Sequence, residues 1–307
     1  MEKIKVSVHG LGNIGKYVIE AVESSGDMEC IGVVRRKESI GKNSLDLRGC
    51  SEFASINELI SSKGKPHVSL ICTPSRHALA DDSLYLKHGI NTVDSFDIHE
   101  EIPSMVEKLS VVAEENNCVA ITAAGWDPGT DSVMRALFQA MVPTGTTFTN
   151  FGRGRSMGHS VAARAIKGVA DAVSITIPIG GGRHSRLVYV VPEPGETLEN
   201  IKDRIAADAY FSKDPLDVRC VASSEELALV CDASHGVLME RTGASGLTSN
   251  QKLTFDMRIN NPALTAQIMV SCARASVRLN AGSYTMIDIP PVALLKGDRM
   301  SAVKNLV

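Results

Sequence analysis

Residues 4–9 alternate apolar and polar positions and stop at a glycine. Helical spacing follows over 17–22, then a short apolar run at 30–34. Further apolar runs at 68–72, 91–93 and 118–123 alternate with helical patterns at 76–87 and 102–116. Short apolar strands separated by helices predict βαβ units, and such units build a parallel sheet covered on both faces. Past Gly125 the rhythm changes. One more helix fits 131–141, and then strand patterns dominate at 146–151, 172–179, 187–191, 218–222, 227–231, 237–241 and 253–259. A helix at 197–207 interrupts them. Runs of strands with few crossover helices predict an α+β second domain with a mixed sheet. The last long helical pattern covers 262–279, with Asn261 placed to cap it and Pro262 at its first position. The fold class is α/β, a doubly wound parallel sheet followed by the α+β domain. The expected divisions are 1–123, 124–260 and a C-terminal helix and tail over 261–307.

Composition changes this picture little. The 307 residues are 44% apolar and 22% charged, enough for one large core or two smaller ones. The net charge of −3, without a long run of Lys and Arg, argues against nucleic acid or an anionic membrane as partner. The N-terminus enters a strand pattern directly, without the apolar stretch of a signal peptide, and no run approaches the roughly 18 apolar residues of a membrane span. Cys30, Cys50, Cys72, Cys118, Cys220, Cys231 and Cys272 are scattered and form no CxxC pair. They read as small core residues of a reduced, cytoplasmic protein without a structural metal.

Gly10, Gly12 and Gly15 form GxGxxG in HGLGNIG, between a predicted strand and a predicted helix. That is the setting of a Rossmann dinucleotide site: the first glycine turns the chain, the second admits the pyrophosphate and the third lets helix and strand pack. Contacts to the cofactor are expected from Gly10, Gly12, Asn13, Ile14 and Gly15, and from Cys72, Thr73 and Pro74 beyond a later strand. At the end of the second strand an NAD site usually carries Asp or Glu, whereas this chain carries Arg35, Arg36 and Lys37. Guanidinium groups suit a 2′-phosphate and a carboxylate repels it, so NADP is expected; a solvated basic turn is the alternative.

The segment Ala124-Gly125-Trp126-Asp127-Pro128-Gly129 follows a predicted strand, where open α/β sheets bind ligands. Asp127 reads as a ligand group or as a helix cap. Asp94 and Asp97 end another strand, and their carboxylates suit an ammonium group or local capping. Residues 151–160 read as a glycine-rich loop with polar side chains. Thr176, Arg186, His235 and Asn261 are isolated polar residues in or beside apolar runs, a pattern shared by structural residues and ligand contacts.

Taken together, HGLGNIG, VVRRK, TVDSFDIH, AAGWDPG, TNFGRGRSMGHS, SHGVLMER, RINNPALTAQ and SYTMIDIPP resemble the meso-diaminopimelate dehydrogenases over nearly the whole chain. The shorter middle region resembles the subgroup that also serves in reductive amination of 2-keto acids to D-amino acids. The resemblance implies NADP-dependent, reversible oxidative deamination of the D-centre of meso-2,6-diaminopimelate, within bacterial lysine and cell-wall precursor synthesis. It implies a homodimer with a substrate and dimerisation domain. It also implies Asp97 and Asp127 beside the reacting amine, Trp126 and Phe151 as pocket walls, and Met157 and Gly158 at the D-centre carboxylate. Thr176, Arg186 and His235 would bind the distal carboxylate, with Asn261 a further contact; Arg183 lies three residues from Arg186. Arg153 and Arg155 depart from the family, which has proline and a neutral residue there. Two other readings stand beside this one: a different two-domain NADP reductase, with Lys or His as the acid, and a non-enzymatic NADP sensor.

Overall fold

The computed structural model describes residues 2–42, 44–152, 154–230 and 235–307; Arg153 and Cys231 lie outside these, and the side chains of Met157 and Gly158 are likewise not described. The chain divides into two compact units, residues 1–136 with 262–307 and residues 137–261.

The first unit begins with β1 (Ile4–His9), α1 (Asn13–Ser25) and β2 (Met28–Val34). The short β3 (Glu52–Phe53), α2 (Ile56–Lys63), β4 (Val68–Ile71), α3 (Ser75–Lys87) and β5 (Asn91–Asp94) follow. Then come α4 (Ile102–Glu115), β6 (Val119–Ile121) and α5 (Thr130–Met141). In β1, Val6, Ser7 and Val8 are all fully buried, because helices cover both faces of a central parallel strand. One face packs Val34, Leu59 and Ile71 against Tyr85 and Ile90. Farther along the same face, Ala120 and Cys118 pack against Leu86, Met105 and Leu109. The helix α2 was absent from the hydrophobic pattern. Side-chain caps start it: Glu58 N–H donates to Ser55 Oγ (3.2 Å), and Ala54 N–H donates to the Glu58 carboxylate (3.0 Å).

The second unit holds β7 (Thr144–Phe151), β8 (Gly154–Arg155), α6 (Met157–Arg164), β9 (Val169–Gly180) and β10 (Arg183–Pro192). It continues with α7 (Leu198–Ala207), β11 (Leu216–Cys220), α8 (Ser224–Val230), β12 (His235–Ser245) and β13 (Thr248–Ile259). The order β11-β10-β9-β8 makes a mixed sheet, parallel only between β10 and β11. Along most of it, side chains alternate between the two faces. Ala172, Val188, Val190 and Val218 face Ile201, Ile205 and Phe211, whereas Val173, Ile175 and Leu187 face Leu227. A second, antiparallel sheet has the order β13-β12-β7.

Two expected strands differ. The run at 227–231 is helical over its described part, α8, where Ser223 caps the first turn. Glu226 N–H donates to Ser223 Oγ (3.2 Å) and Ala222 N–H to the Glu226 carboxylate (2.6 Å). The latter bond takes Ala222 out of the expected strand, which ends at Cys220. The predicted loop at 151–160 is also corrected, since its second half is the first turn of α6. Ser160, fully buried, accepts Ser174 N–H (3.0 Å), so a small polar residue lets the helix lie close on β9. Cys220 is exposed rather than core; Cys118 and Cys272 are buried as expected.

The chain then returns to the first unit through α9 (Asn261–Ser276), β14 (Gly282–Tyr284), α10 (Pro291–Leu294) and α11 (Arg299–Leu306). β14 pairs with β6 and completes an all-parallel sheet, β14-β6-β5-β4-β1-β2-β3. Arg274 on α9, 5% exposed, clamps Asp27 with two hydrogen bonds of 2.6 and 2.9 Å. These bonds hold the Asp27 carboxyl below its usual range. Arg274→Met leaves Asp27 without its partner. It should lower unfolding free energy by about 2 kcal/mol in chemical denaturation, below the range for fully buried pairs because water still reaches Asp27.

Candidate active site

The glycine loop forms as its spacing predicts. Gly10 has φ of 95°, and a Cβ there would stand 2.9 Å from the Cys72 carbonyl oxygen. At Gly15 a Cβ would stand 2.2 Å from the Gly10 carbonyl oxygen, so any side chain would push α1 off the loop. Gly12 differs: a Cβ there would meet nothing within 4 Å. No protein neighbour requires that glycine, and the open space above it suits a pyrophosphate approaching the backbone. Asn13 and Ile14 sit in the first turn of α1, where N–H groups have no intrahelical acceptor and favour an anion.

A cavity of about 480 Å³ opens over this loop. Gly10, Gly12, Arg35, Arg36, Cys72, Thr73 and Pro74 line it, all anticipated from the sequence. His9, Leu11, Ser39, His77 and Asp81 also line it and were not anticipated. The strand-end rule would have found His9, the last residue of β1; nothing in the sequence singles out the others. Burial holds the His9 imidazole below its usual range, opposed by the nearby Asp81 carboxylate.

The two arginines play different parts. Arg35 is buried, pairs with the Glu52 carboxylate at 2.7 Å and donates to the Lys42 carbonyl. Its charge is largely balanced inside the protein, although the residue also lines the cavity. Arg36 is exposed at the cavity rim.

The carboxyl ends of β5 and β6 carry the other predicted residues of this unit. Asp97 is exposed and accepts a hydrogen bond from Ser75 Oγ (2.6 Å) at the start of α3. Asp94, which the sequence offered as a second ligand for an ammonium group, is 1% exposed and turned inward. Its Oδ1 accepts the Phe96 N–H (2.7 Å), the Thr122 hydroxyl (3.0 Å) and the Ala123 N–H (3.2 Å). The local capping reading is the correct one for Asp94.

Trp126 is buried at 8% exposure. Asp127 is no helix cap, since α5 starts three residues later and the Asp127 carboxyl faces Asp131 and His99. Burial pushes the Asp127 carboxyl up to about 6, and Asp131 adds to the shift. Asp131 itself is ion-paired to Arg135 at 2.9 Å. The His99 imidazole, 3.9 Å from Asp127, opposes it. A half-buried carboxyl titrating there exchanges protons readily at neutral pH.

In the second unit, the antiparallel register sets Arg186 on β10 directly opposite Thr176 on β9. Arg186 Nη1 donates to Thr176 Oγ1, and its Nε donates to Asp214 at 2.7 Å. Arg183 stands exposed at the far end of β10. Phe151 ends β7, and the next residue, Gly152, bonds the Gly236 carbonyl. A Cβ on Gly152 would crowd the Thr176 methyl at 3.1 Å. Phe151, Gly152, Thr176, Arg186 and the start of β12 at His235 therefore cluster where β7 runs into β8. Asn261 opens α9. Among the described residues no group of three or more His, Cys, Asp or Glu could hold a metal ion, and no helix is long and apolar enough to cross a membrane.

Residues 125–182 match the diaminopimelic acid dehydrogenase C-terminal domain. The meso-diaminopimelate D-dehydrogenase of Bacteroides fragilis is 44% identical over 307 residues, covering all of both chains. The chain belongs to the meso-diaminopimelate D-dehydrogenases. It is accordingly an oxidoreductase of the amino-acid dehydrogenase class, acting on a CH–NH2 group with a nicotinamide cofactor. A multiply substituted meso-DAP dehydrogenase of Clostridium tetani, solved with DAP, superposes with a TM-score of 0.72 at 27% identity. That match covers 99% of this chain and all of the other. An engineered D-amino acid dehydrogenase solved with NADP+ shares the fold, with a TM-score of 0.67, 23% identity and coverage of 99% and 100%.

Within this dehydrogenase, Asp82 on α3 is fully buried and within hydrogen-bonding reach of Asp94. With both carboxyls ionised, Asp94 Oδ2 would lack a donor and the Asp82 oxygens would have only the Thr92 hydroxyl within reach. A proton on Asp82 supplies the missing donor. Burial, and then the Asp94 charge, push the Asp82 carboxyl far above its usual range, while burial pushes Asp94 up to about 6. The folded chain thus holds a proton that the unfolded chain releases near the usual Asp value of about 3.9. Stability from this group is full below that pH and declines as pH rises, because ionising favours only the unfolded state. Asp82→Asn keeps a donor to Asp94 and cannot ionise. Its melting temperature relative to wild type should rise between about pH 5 and about pH 8, and a pH-independent difference would contradict the shared proton.

Proposed function

We propose that the chain catalyses the reversible, NADP-dependent oxidative deamination of the D-centre of meso-2,6-diaminopimelate to L-2-amino-6-oxopimelate and ammonia. One observation carries this reading: the cavity over the glycine loop and the carboxylates Asp97 and Asp127 line the carboxyl edge of one parallel sheet. The names of its relatives, and the DAP in the Clostridium tetani structure, point to the same substrate.

Arg36 at the rim, with Ser39 beside it, favours NADP over NAD, and the NADP+ in the engineered relative agrees with that choice. The nicotinamide, when bound, accepts a hydride. The chain's own residues do the rest. Asp97 and Asp127 receive the substrate ammonium. Asp127 takes its proton, directly or through water, so that the neutral amine can release hydride from its carbon. Water then adds to the imine and ammonia leaves. Trp126 and Phe151 serve as apolar walls, and the first turn of α6 at Met157 and Gly158 meets the D-centre carboxylate. Thr176, Arg186 and His235 receive the distal carboxylate, with Asn261 as a further contact. Arg186 is held by Thr176 and Asp214, so its fork is oriented before any substrate arrives. A homodimer, cytoplasmic placement and a side activity in reductive amination of 2-keto acids belong to the same proposal, as does the expected boundary of the substrate domain at residues 124–260.

NADP reduction should be seen with meso-diaminopimelate and not with its LL isomer, and should be weaker with NAD. No reduction with any isomer would overturn the proposal. In the deamination direction kcat/KM should fall as pH drops through about 6, because the base form of Asp127 is then lost. Asp127→Asn should remove that limb and lower kcat roughly 10²–10⁴-fold. Arg186→Ala should weaken activity on diaminopimelate far more than on a D-amino acid without a second carboxylate. Equal losses on both would refute its distal role.

A further inference from the structure

Asp94 touches neither the cavity over the glycine loop nor any group assigned to substrate, yet it is bonded to both loops that carry the acidic residues. Through Oδ1 it takes the Phe96 N–H, and Phe96 adjoins Asp97. The same oxygen takes the Thr122 hydroxyl and the Ala123 N–H at the end of β6, four residues before Asp127. Its carbonyl oxygen takes the Ala124 N–H at 2.8 Å. Ala123 has φ of 57°, a left-handed conformation that an alanine adopts only at a cost. That strained residue starts the loop reaching Trp126 and Asp127, and the Asp94 carboxylate is what holds its N–H. Four bonds from one buried residue therefore bring together the ends of two strands.

We propose that Asp94, backed by Asp82, is a positioning residue of this site, holding the loops of Asp97 and Asp127 at a fixed mutual spacing. The inference rests on the reading of Asp97 and Asp127 as the amine-facing carboxylates. Its physical basis is ordinary. A carboxylate accepting several N–H and O–H donors in a dry setting is a strong, directional clamp, and small misplacements of catalytic groups cost about 10²-fold in rate. Asp82 supplies the remaining donor, so Asp94 Oδ2 is satisfied without a cation. The ionisable neighbours acting on the pair are Asp81 and Tyr85 from α3 and Cys272 from α9. None of them adds a positive charge that would compete for Asp94.

Asp94→Ala, Asp94→Asn and Thr122→Val test the clamp in the full-length enzyme, with two readouts. The first is hydrogen–deuterium exchange without substrate. Both segments 95–98 and 123–128 should exchange faster in Asp94→Ala, with β1, β4 and the glycine loop unchanged. The second is steady-state kinetics at saturating NADP. Asp94→Ala should lower kcat on the order of 10²-fold with cofactor affinity retained. Asp94→Asn, which keeps an acceptor oxygen toward the N–H groups, should recover most of that loss. Thr122→Val removes a single donor and should lose on the order of threefold, which keeps the test available if Asp94→Ala fails to fold. Wild-type exchange in both segments of these variants would overturn the proposal, as would an unaltered kcat in Asp94→Ala. A wild-type enzyme inactive on diaminopimelate, with both segments loosened in the variants, would refute the substrate reading while upholding the clamp.

Discussion

All seven strands of the first sheet run parallel, so their carboxyl ends share one edge, and that constraint places every group of the first unit's site. β1 delivers the glycine turn, β2 delivers Arg35 and Arg36, and β4 delivers Cys72, Thr73 and Pro74. β5 and β6 deliver Asp97 and Asp127. A backbone this crowded at the edge tolerates few side chains, which is why Gly10 and Gly15 are fixed by their own neighbours, while Gly12 is left for something outside the protein. Helices on both faces bury the strands so completely that polar groups facing inward must bond one another. Asp82, Thr92 and Asp94 form such a group beneath the carboxylates proposed to meet the substrate.

Much of this was legible in the chain. Period-two and period-3.6 patterns located most strands and helices, and the glycine spacing located the cofactor loop. What escaped has physical causes. α2 and α8 are short and start at Ser caps followed by Glu, polar residues that look like loop in a hydrophobicity pattern. α6 packs through Ser160 and Ala163, residues too small to register as an apolar face. Arg35 and Arg36 look alike in sequence. Only the position of Glu52, brought alongside by the short pairing of β2 and β3, ties Arg35 into a buried ion pair and leaves Arg36 exposed at the cavity rim.

The carboxylates teach the same lesson. Asp94 and Asp97 were equivalent candidates by spacing, but one faces the dry interior and the other the surface. Asp127 stood between ligand and cap, and the late start of α5 removes the cap. In the second unit, Arg186 and Thr176 lie ten positions apart, and the hairpin register of β9 and β10 makes them direct partners. Pairing of that kind is set by the turn at Gly180–Gly182 and cannot be read from either residue alone. It also separates Arg186 from Arg183, three positions away on the same strand but at its exposed end.

In the proposed function, the group that meets the nicotinamide is the D-centre carbon of a diamino diacid. The most direct measurement uses meso-diaminopimelate carrying deuterium at that carbon, with mass analysis of the cofactor after turnover. One deuterium should appear in the reduced nicotinamide for each ammonia released. Deuterium retained in the amino acid, or lost to water while the cofactor stays unlabelled, would contradict it.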